Sequence, residues 1–219
     1  KVFFLGVNDP SRLTFLREKI LSGFDHLPDM GEYMHRSYFD GSEKYCKDTF
    51  LFIKYFGTKF LPKLLHFKKI LDQLASRINF LPIHLSDKIL QFIADLLPDH
   101  LPKRIRDFRH KYEHYMILKT SDQSIHQTQE LLELMKANQV NYDYIECTEV
   151  EGKDVLLHRY VAGAAPMRYG VIDSKNTGDL LPLDIALPRN SVSWYQMIPS
   201  HILSQMAGSF QMGHFLCMV

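Results

Sequence analysis

The strongest constraint in this chain is a strand–helix–strand rhythm that recurs along it and is broken once, across residues 50–111. Val2–Val7 is apolar throughout, Asn8-Asp9-Pro10-Ser11 supplies turn and capping residues, and Leu13, Phe15, Leu16, Ile20 and Leu21 follow at helical spacing before 31–36 resumes an extended pattern. Residues 112–119 alternate as a strand, Ser121-Asp122 can cap a helix through Leu131, Leu132, Leu134 and Met135, and 142–148 returns as a strand. A third set follows, with 181–187 extended, 191–207 helical and 208–219 extended. Single helices between short strands predict an α+β fold with an antiparallel or mixed sheet of split βαβ, ferredoxin-like units.

The break has a different character. Residues 50–111 offer no good strand, and their helical stretches are punctuated by Pro62, Pro82, Pro98 and Pro102. Proline usually ends or kinks a helix, so the segment reads as a series of short helices inserted into the α+β domain. Its charge is also distinct. Residues 35–111 hold 15 of the 26 Lys and Arg but 8 of the 25 Asp and Glu, so a bulk net charge of +1 conceals a basic stretch in an otherwise acidic chain. Such asymmetry points to contact with a polyanion.

The residue types around the charges favour a membrane surface. Phe60, Leu61, Leu64, Leu65, Phe67, Leu71 and Leu74 form a broad apolar stripe flanked by Lys59, Lys63, Lys68 and Lys69, with Lys54 just before it. A helix of this kind can lie in a bilayer interface, its apolar face among headgroups and its lysines reaching toward anionic phospholipid. Lys103, Arg104, Arg106 and Arg109 form a second basic cluster. Each cation near such a surface contributes about 1 kcal/mol. No uncharged apolar run approaches the roughly 18 residues that span a bilayer, so the chain is expected to sit on the membrane. Nucleic acid is disfavoured, because the aromatic residues are grouped on an apolar face and no RRM, KH or zinc-finger pattern is present.

Cys46, Cys147 and Cys217 are widely spaced and odd in number, which predicts buried thiols in a reducing compartment. No GxGxxG, P-loop or GxSxG motif occurs, arguing against a nucleotide fold or serine hydrolase. His110 and His114 are four apart in an extended stretch, too distant to share a metal. The chain opens without a secretory signal on Lys1-Val2-Phe3-Phe4-Leu5 and stops within an apolar run at Val219, from which a piece of a longer polypeptide is expected.

Longer motifs carry a resemblance. GEYMHRSYFDGSEKYCKD (31–48), HKYEHYMILK (110–119), LLHRYVAGAAPMRYG (156–170) and LDIALPRN (183–190) resemble the membrane-associated, quinone-dependent D-lactate dehydrogenases, a branch of the vanillyl-alcohol-oxidase-type flavoenzymes. The likeness runs the whole length of the chain. It implies that 1–34, 112–149 and 174–219 form a cap domain over the flavin, and that 35–111 with 150–173 form a helical membrane-binding region. FAD is then bound by a separate domain outside this chain, and the fragment alone is expected to be inactive. The parent enzyme would oxidise D-lactate to pyruvate and pass electrons to quinone, peripherally attached at the cytoplasmic face of the inner (plasma) membrane. The same resemblance points to Arg159 for the substrate carboxylate, which a guanidinium fork suits. His214, in QMGHFLC, resembles the first histidine of a Gly-His motif contacting substrate or metal. His35 and Arg36, at the mouth of the insertion, either line the pocket or anchor the helical region. Leu183-Asp184 departs from relatives that carry a Lys before the Asp. The competing reading is a non-catalytic peripheral-membrane module.

Overall fold

Strand β1 (Val2–Val7) is buried along its whole length, which explains why its sequence is continuously apolar and does not alternate. It lies inside a five-stranded sheet of order β4-β1-β3-β2-β5, with β2 Met30–His35, β3 His114–Lys119, β4 Tyr142–Glu146 and β5 Met212–His214. Every paired neighbour is antiparallel, so of the two sheet types expected the antiparallel one is found. The structure, a computed structural model, describes residues 1–78, 85–138 and 142–165 and the backbone of Met212–His214. The expected strand at 181–187 and helix at 191–207 lie outside the described residues.

Among the described residues, two helices pack on one face of the sheet. Helix α1 (Ser11–Gly23) follows Pro10, whose fixed φ suits the entry to a helix, and Asp9 Oδ1 accepts the Ser11 N–H at 2.9 Å. Helix α6 (Ile125–Ala137) begins later than Ser121-Asp122 suggested. The reason is a turn in which Ser124 Oγ accepts the Ser121 N–H, so that Ser124 occupies the capping position. From β1 the side chains of Phe3, Leu5 and Val7 meet Leu13, Leu16 and Ile20 of α1 and Leu132 and Met135 of α6 in one apolar core.

The opposite face is aromatic. Phe4 stacks on Tyr115 at 5.3 Å and touches Phe39 at 5.5 Å and Phe108 at 5.4 Å. Phe108 comes from helix α5 (Lys103–Arg109), and the Tyr115 hydroxyl bonds the carbonyl of Arg109, fastening α5 to β3. Gly6 is required on this face. A Cβ there would stand 2.8 Å from Tyr112 Cγ and 3.1 Å from Phe108 Cε1, inside van der Waals contact. Gly6→Ala is therefore expected to destabilise the protein by about 1–3 kcal/mol as overpacking does. A lowered urea midpoint with unchanged slope is the readout, and a midpoint equal to wild type would refute it.

Two structural units divide the chain. One takes Lys1–Phe39 and Lys103–Val155 and holds β1–β4, α1, α5 and α6; the other takes Asp40–Pro102 and the stretch from Leu156. Helix α7 (Glu149–Ala162) starts in the first with a reciprocal cap, Thr148 N–H donating to Glu151 Oε2 at 2.8 Å and Glu151 N–H to Thr148 Oγ1 at 3.3 Å. Gly152 beneath it leaves room for Val2, whose Cβ would lie 3.2 Å from any side chain placed there.

The second unit is helical. Helix α2 (Arg36–Phe56) ends at Gly57, whose φ of 76° falls in the left-handed region. A 3-10 turn (Thr58–Phe60) leads into α3 (Leu61–Ala75), and α4 (Leu85–Asp95) follows. Pro62 starts α3 and does not break it, since a first-turn N–H has no intrahelical acceptor to lose. Asp72 of α3 accepts both the Ser86 N–H (3.1 Å) and its hydroxyl (2.8 Å), capping α4 from the neighbouring helix. Cys46 and Cys147 are buried thiols outside any disulfide, as expected, and burial pushes Cys147 up to about 12.

Candidate functional site

At one end of the sheet β2 and β3 bring two histidines together. His35 and His114 are register partners whose rings meet edge-on at 5.2 Å. Tyr33, two residues earlier on β2, places its hydroxyl 2.8 Å from His114 Nδ1. Desolvation, with His35 nearby as the next cause, lowers His114 to about 4, so its ring is neutral at pH 7. His35 Nδ1 accepts the Ser37 N–H at 3.1 Å and lies 2.9 Å from its hydroxyl, which fixes the ring at the start of α2.

Arg36 is adjacent but engaged. Its Nη1 lies 3.2 Å from Glu113 Oε1, and its N–H donates to the Glu113 carbonyl at 2.8 Å. The cluster thus offers hydrogen bonds from neutral rings and a cation already balanced by a carboxylate. Such a site can orient a polar substrate and accept a proton, and an anion held by Arg36 would share its guanidinium with Glu113. No three His, Cys, Asp or Glu side chains among the described residues are arranged to hold a metal.

The other two expected contacts are on other elements. Arg159 lies on the part of α7 that belongs to the second unit, half-buried, its guanidinium over the Tyr160 ring at 4.9 Å. His214 is in β5, where its backbone stands opposite Glu32 of β2. The motif at 183–190 lies outside the described residues.

The apolar stripe of α3 is not one face. Leu61, Leu64, Lys68 and Leu71 form a half-buried row ending at buried Ala75, whereas Leu65, Phe67, Ile70 and Leu74 are exposed beside Lys63 and Lys69. Periodicity cannot distinguish these rows, because apolar residues occupy both. Lys68 turns inward and pairs with buried Asp87 of α4, so it joins two helices and does not flank a solvated face. Phe60 is exposed with the Lys63 ammonium 5.0 Å from its ring, and Lys59 stands next to it. Helix α4 and the residues after it add exposed Phe92, Ile93, Leu96 and Leu97, with Leu96 at 72%. Of the 17 large hydrophobic residues exposed among the described residues, 13 lie between Tyr55 and Leu97, a density unusual for a surface facing only water.

Of the remaining basic candidates, Lys54 and Arg104 are engaged within their own units. Lys54 Nζ donates to the His100 carbonyl at 2.8 Å. Arg104 reaches Glu151 Oε2 at 3.4 Å and the Glu146 carbonyl at 3.3 Å, and Arg109 is buried. Lys103 is exposed and Arg106 half-buried, and all four cations of this cluster belong to the first unit. No helix among the described residues is long and apolar enough to cross a membrane. Sequence reasoning missed the second unit's buried histidines, His100 and His158, because they lie 58 positions apart with no motif linking them.

Comparison with known proteins gives a consistent result. Residues 2–219 match the family model described as D-lactate dehydrogenase, membrane binding. The chain is 40% identical over 218 residues to a quinone-dependent D-lactate dehydrogenase of Haemophilus influenzae and 40% identical over 220 residues to one of Escherichia coli. It is 32% identical over 219 residues to one of Corynebacterium glutamicum. Each alignment covers 100% of this chain but 38–39% of the relative's length.

Proposed function

This chain belongs to the membrane-binding D-lactate dehydrogenase family, and on that premise we propose that it is the cap and membrane-binding part of a respiratory FAD-dependent enzyme oxidising D-lactate to pyruvate with electrons passed to quinone. The observation that carries the membrane half is the exposed apolar surface of α3 and α4 with Lys59, Lys63 and Lys69 beside it. An apolar surface rimmed by cations suits anionic phospholipid, and the enzyme docks peripherally on the cytoplasmic face of the inner membrane. Nucleic acid has no part in this reading.

The first unit serves as the cap. Because β1 and β2 both run antiparallel to the β3 between them, the order β4-β1-β3-β2 supports reading it as paired split βαβ units of ferredoxin-like type. The second unit, with α2, α3 and α4, serves as the basic membrane-binding insertion.

The described residues do not fit an FAD site. At the first strand–helix turn, where a phosphate cradle would be looked for, stands Asp9, its carboxyl held below the usual range by hydrogen bonds from Ser11. FAD would then be held by a domain outside this chain and would supply the hydride-accepting chemistry there. The residues contributed here bind and orient. Of the expected substrate contacts, His35, Arg36 and His214 belong to the first unit, and Arg159, whose guanidinium fork suits a carboxylate, to the second.

Anaerobic titration of the full-length protein with D-lactate, and with L-lactate as control, tests this reading. Bleaching of a flavin absorbance band by the D isomer alone is expected. Absence of the band, or equal response to both isomers, would overturn the enzymatic half and leave the membrane half to liposome binding.

A further inference from the structure

Ser42, His158 and His100 are far apart in sequence and form one hydrogen-bonded chain inside the second unit, with Asp99 beside His100. Ser42 Oγ of α2 lies 2.6 Å from His158 Nε2 of α7. His158 Nδ1 lies 3.1 Å from His100 Nε2, on the segment that follows α4, and His100 Nδ1 is 3.4 Å from Asp99 Oδ1. Ser42, His100 and His158 are buried, and Phe50 stacks against both rings at 3.9 and 4.8 Å.

This geometry sets a proton count. The two ring nitrogens that face each other share one proton, and the outer nitrogens, His100 Nδ1 and His158 Nε2, can carry one each. The paired rings therefore hold at most three protons. A fourth would set N–H against N–H across 3.1 Å. In water the same two rings can carry four, so separating them takes up protons, and acid favours the separated state.

The chain holds a particular segment. Lys47 Nζ donates to the Leu97 carbonyl at 2.9 Å, Lys54 Nζ to the His100 carbonyl at 2.8 Å, and Gln91 Nε2 to the Lys44 carbonyl at 2.9 Å. These bonds fix the end of α4, with its exposed Phe92, Ile93 and Leu96, to α2. Among the ionisable groups of the described residues, Asp99 stands 3.4 Å from His100, Lys54 reaches the His100 carbonyl and Lys47 the Leu97 carbonyl, and Asp154 and Arg159 flank His158 in the sequence of α7. Of all these types, imidazole is the one that ordinarily titrates between pH 5 and 8.

We propose that Ser42, His158, His100 and Asp99 form an acid-released latch that fastens the C-terminal end of α4 to α2 and α7 and frees its apolar residues when the rings take up protons. The inference rests on the second unit's own packing and stands whether or not the parent enzyme oxidises D-lactate.

Hydrogen-exchange mass spectrometry of the full-length protein tests it, run from about pH 8 to about pH 5.5 across the free imidazole value of roughly 6.5. After correction for intrinsic exchange, protection over 85–97 is expected to fall about tenfold or more per pH unit below that value, while α1 and α3 keep theirs. His100→Gln keeps an amide acceptor toward His158 but removes one titrating ring, and its slope is expected to be shallower. Protection of 85–97 that does not vary with pH overturns the latch, as does a parallel fall in α3. A variant slope equal to wild type also overturns it. Should His100→Gln fail to fold, the wild-type profile decides.

Discussion

Full-length protein carrying Lys59→Gln, Lys63→Gln and Lys69→Gln is expected to lose most of its binding to anionic liposomes. At about 1 kcal/mol per cation near a negatively charged surface, three neutralisations weaken the partition by ~3 kcal/mol, on the order of a hundredfold. These lysines are chosen because they are exposed, whereas Lys68 pairs with Asp87 and its loss would loosen α3 from α4. A companion variant, Phe60→Ser with Leu65→Ser and Phe67→Ser, separates the apolar part from the electrostatic part. It is expected to weaken binding even at high salt, where the charge contribution is screened over a few ångströms. Cosedimentation at low and high ionic strength gives both numbers. If both triple variants pellet with anionic vesicles as wild type does, the α3 surface is not the membrane contact.

Phe4→Ala is the substitution expected to damage the fold most. Phe4 is fully buried in β1 and its ring meets Phe39, Phe108 and Tyr115 within 5.3–5.5 Å. Truncation removes the transfer free energy of an aromatic side chain and leaves a cavity lined by rings that cannot collapse without moving α5 or the start of α2. About 3–5 kcal/mol of destabilisation follows, a large fraction of the 5–15 kcal/mol that holds a typical domain. Denaturant unfolding monitored by tyrosine fluorescence measures it. A loss below about 1 kcal/mol would mean that the aromatic face contributes little to holding the sheet.

Much of the first unit was legible before its structure. The apolar run of β1 and the helical spacing around Leu13 and Leu16 each reflect burial on a sheet or against it, and β3 is found within the expected stretch, although Tyr115–Leu118 are buried on both faces and do not alternate. The order of strands was not legible, because β1 and β2 could have been neighbours as readily as strands separated by β3. In the second unit, period alone misassigned the α3 stripe. Leu64 and Leu65 are equally apolar, and their exposure depends on where α4 docks, a tertiary fact set by pairs such as Lys68 with Asp87 and Asp72 with Ser86. For the candidate site, His35 and Arg36 could be found from a motif, but the meeting of His35 with His114 required the β2–β3 register. The reciprocal cap of Thr148 and Glu151 was readable from its three-residue spacing and was overlooked.

The β2–β3 register has a further consequence for how such a chain can be rearranged. His35 and His114 face each other across neighbouring strands, and Arg36 and Glu113, 77 positions apart, continue the pairing by one more step. The polypeptide therefore leaves the sheet and re-enters it at adjoining points, as it would around a hairpin. Closing so long an excursion carries only about 2–3 kcal/mol more entropy loss than closing a four-residue turn. The long helical detour is, to the sheet, an enlarged hairpin loop, and loops of that kind can be gained, lost or exchanged in evolution with the register of the flanking strands intact.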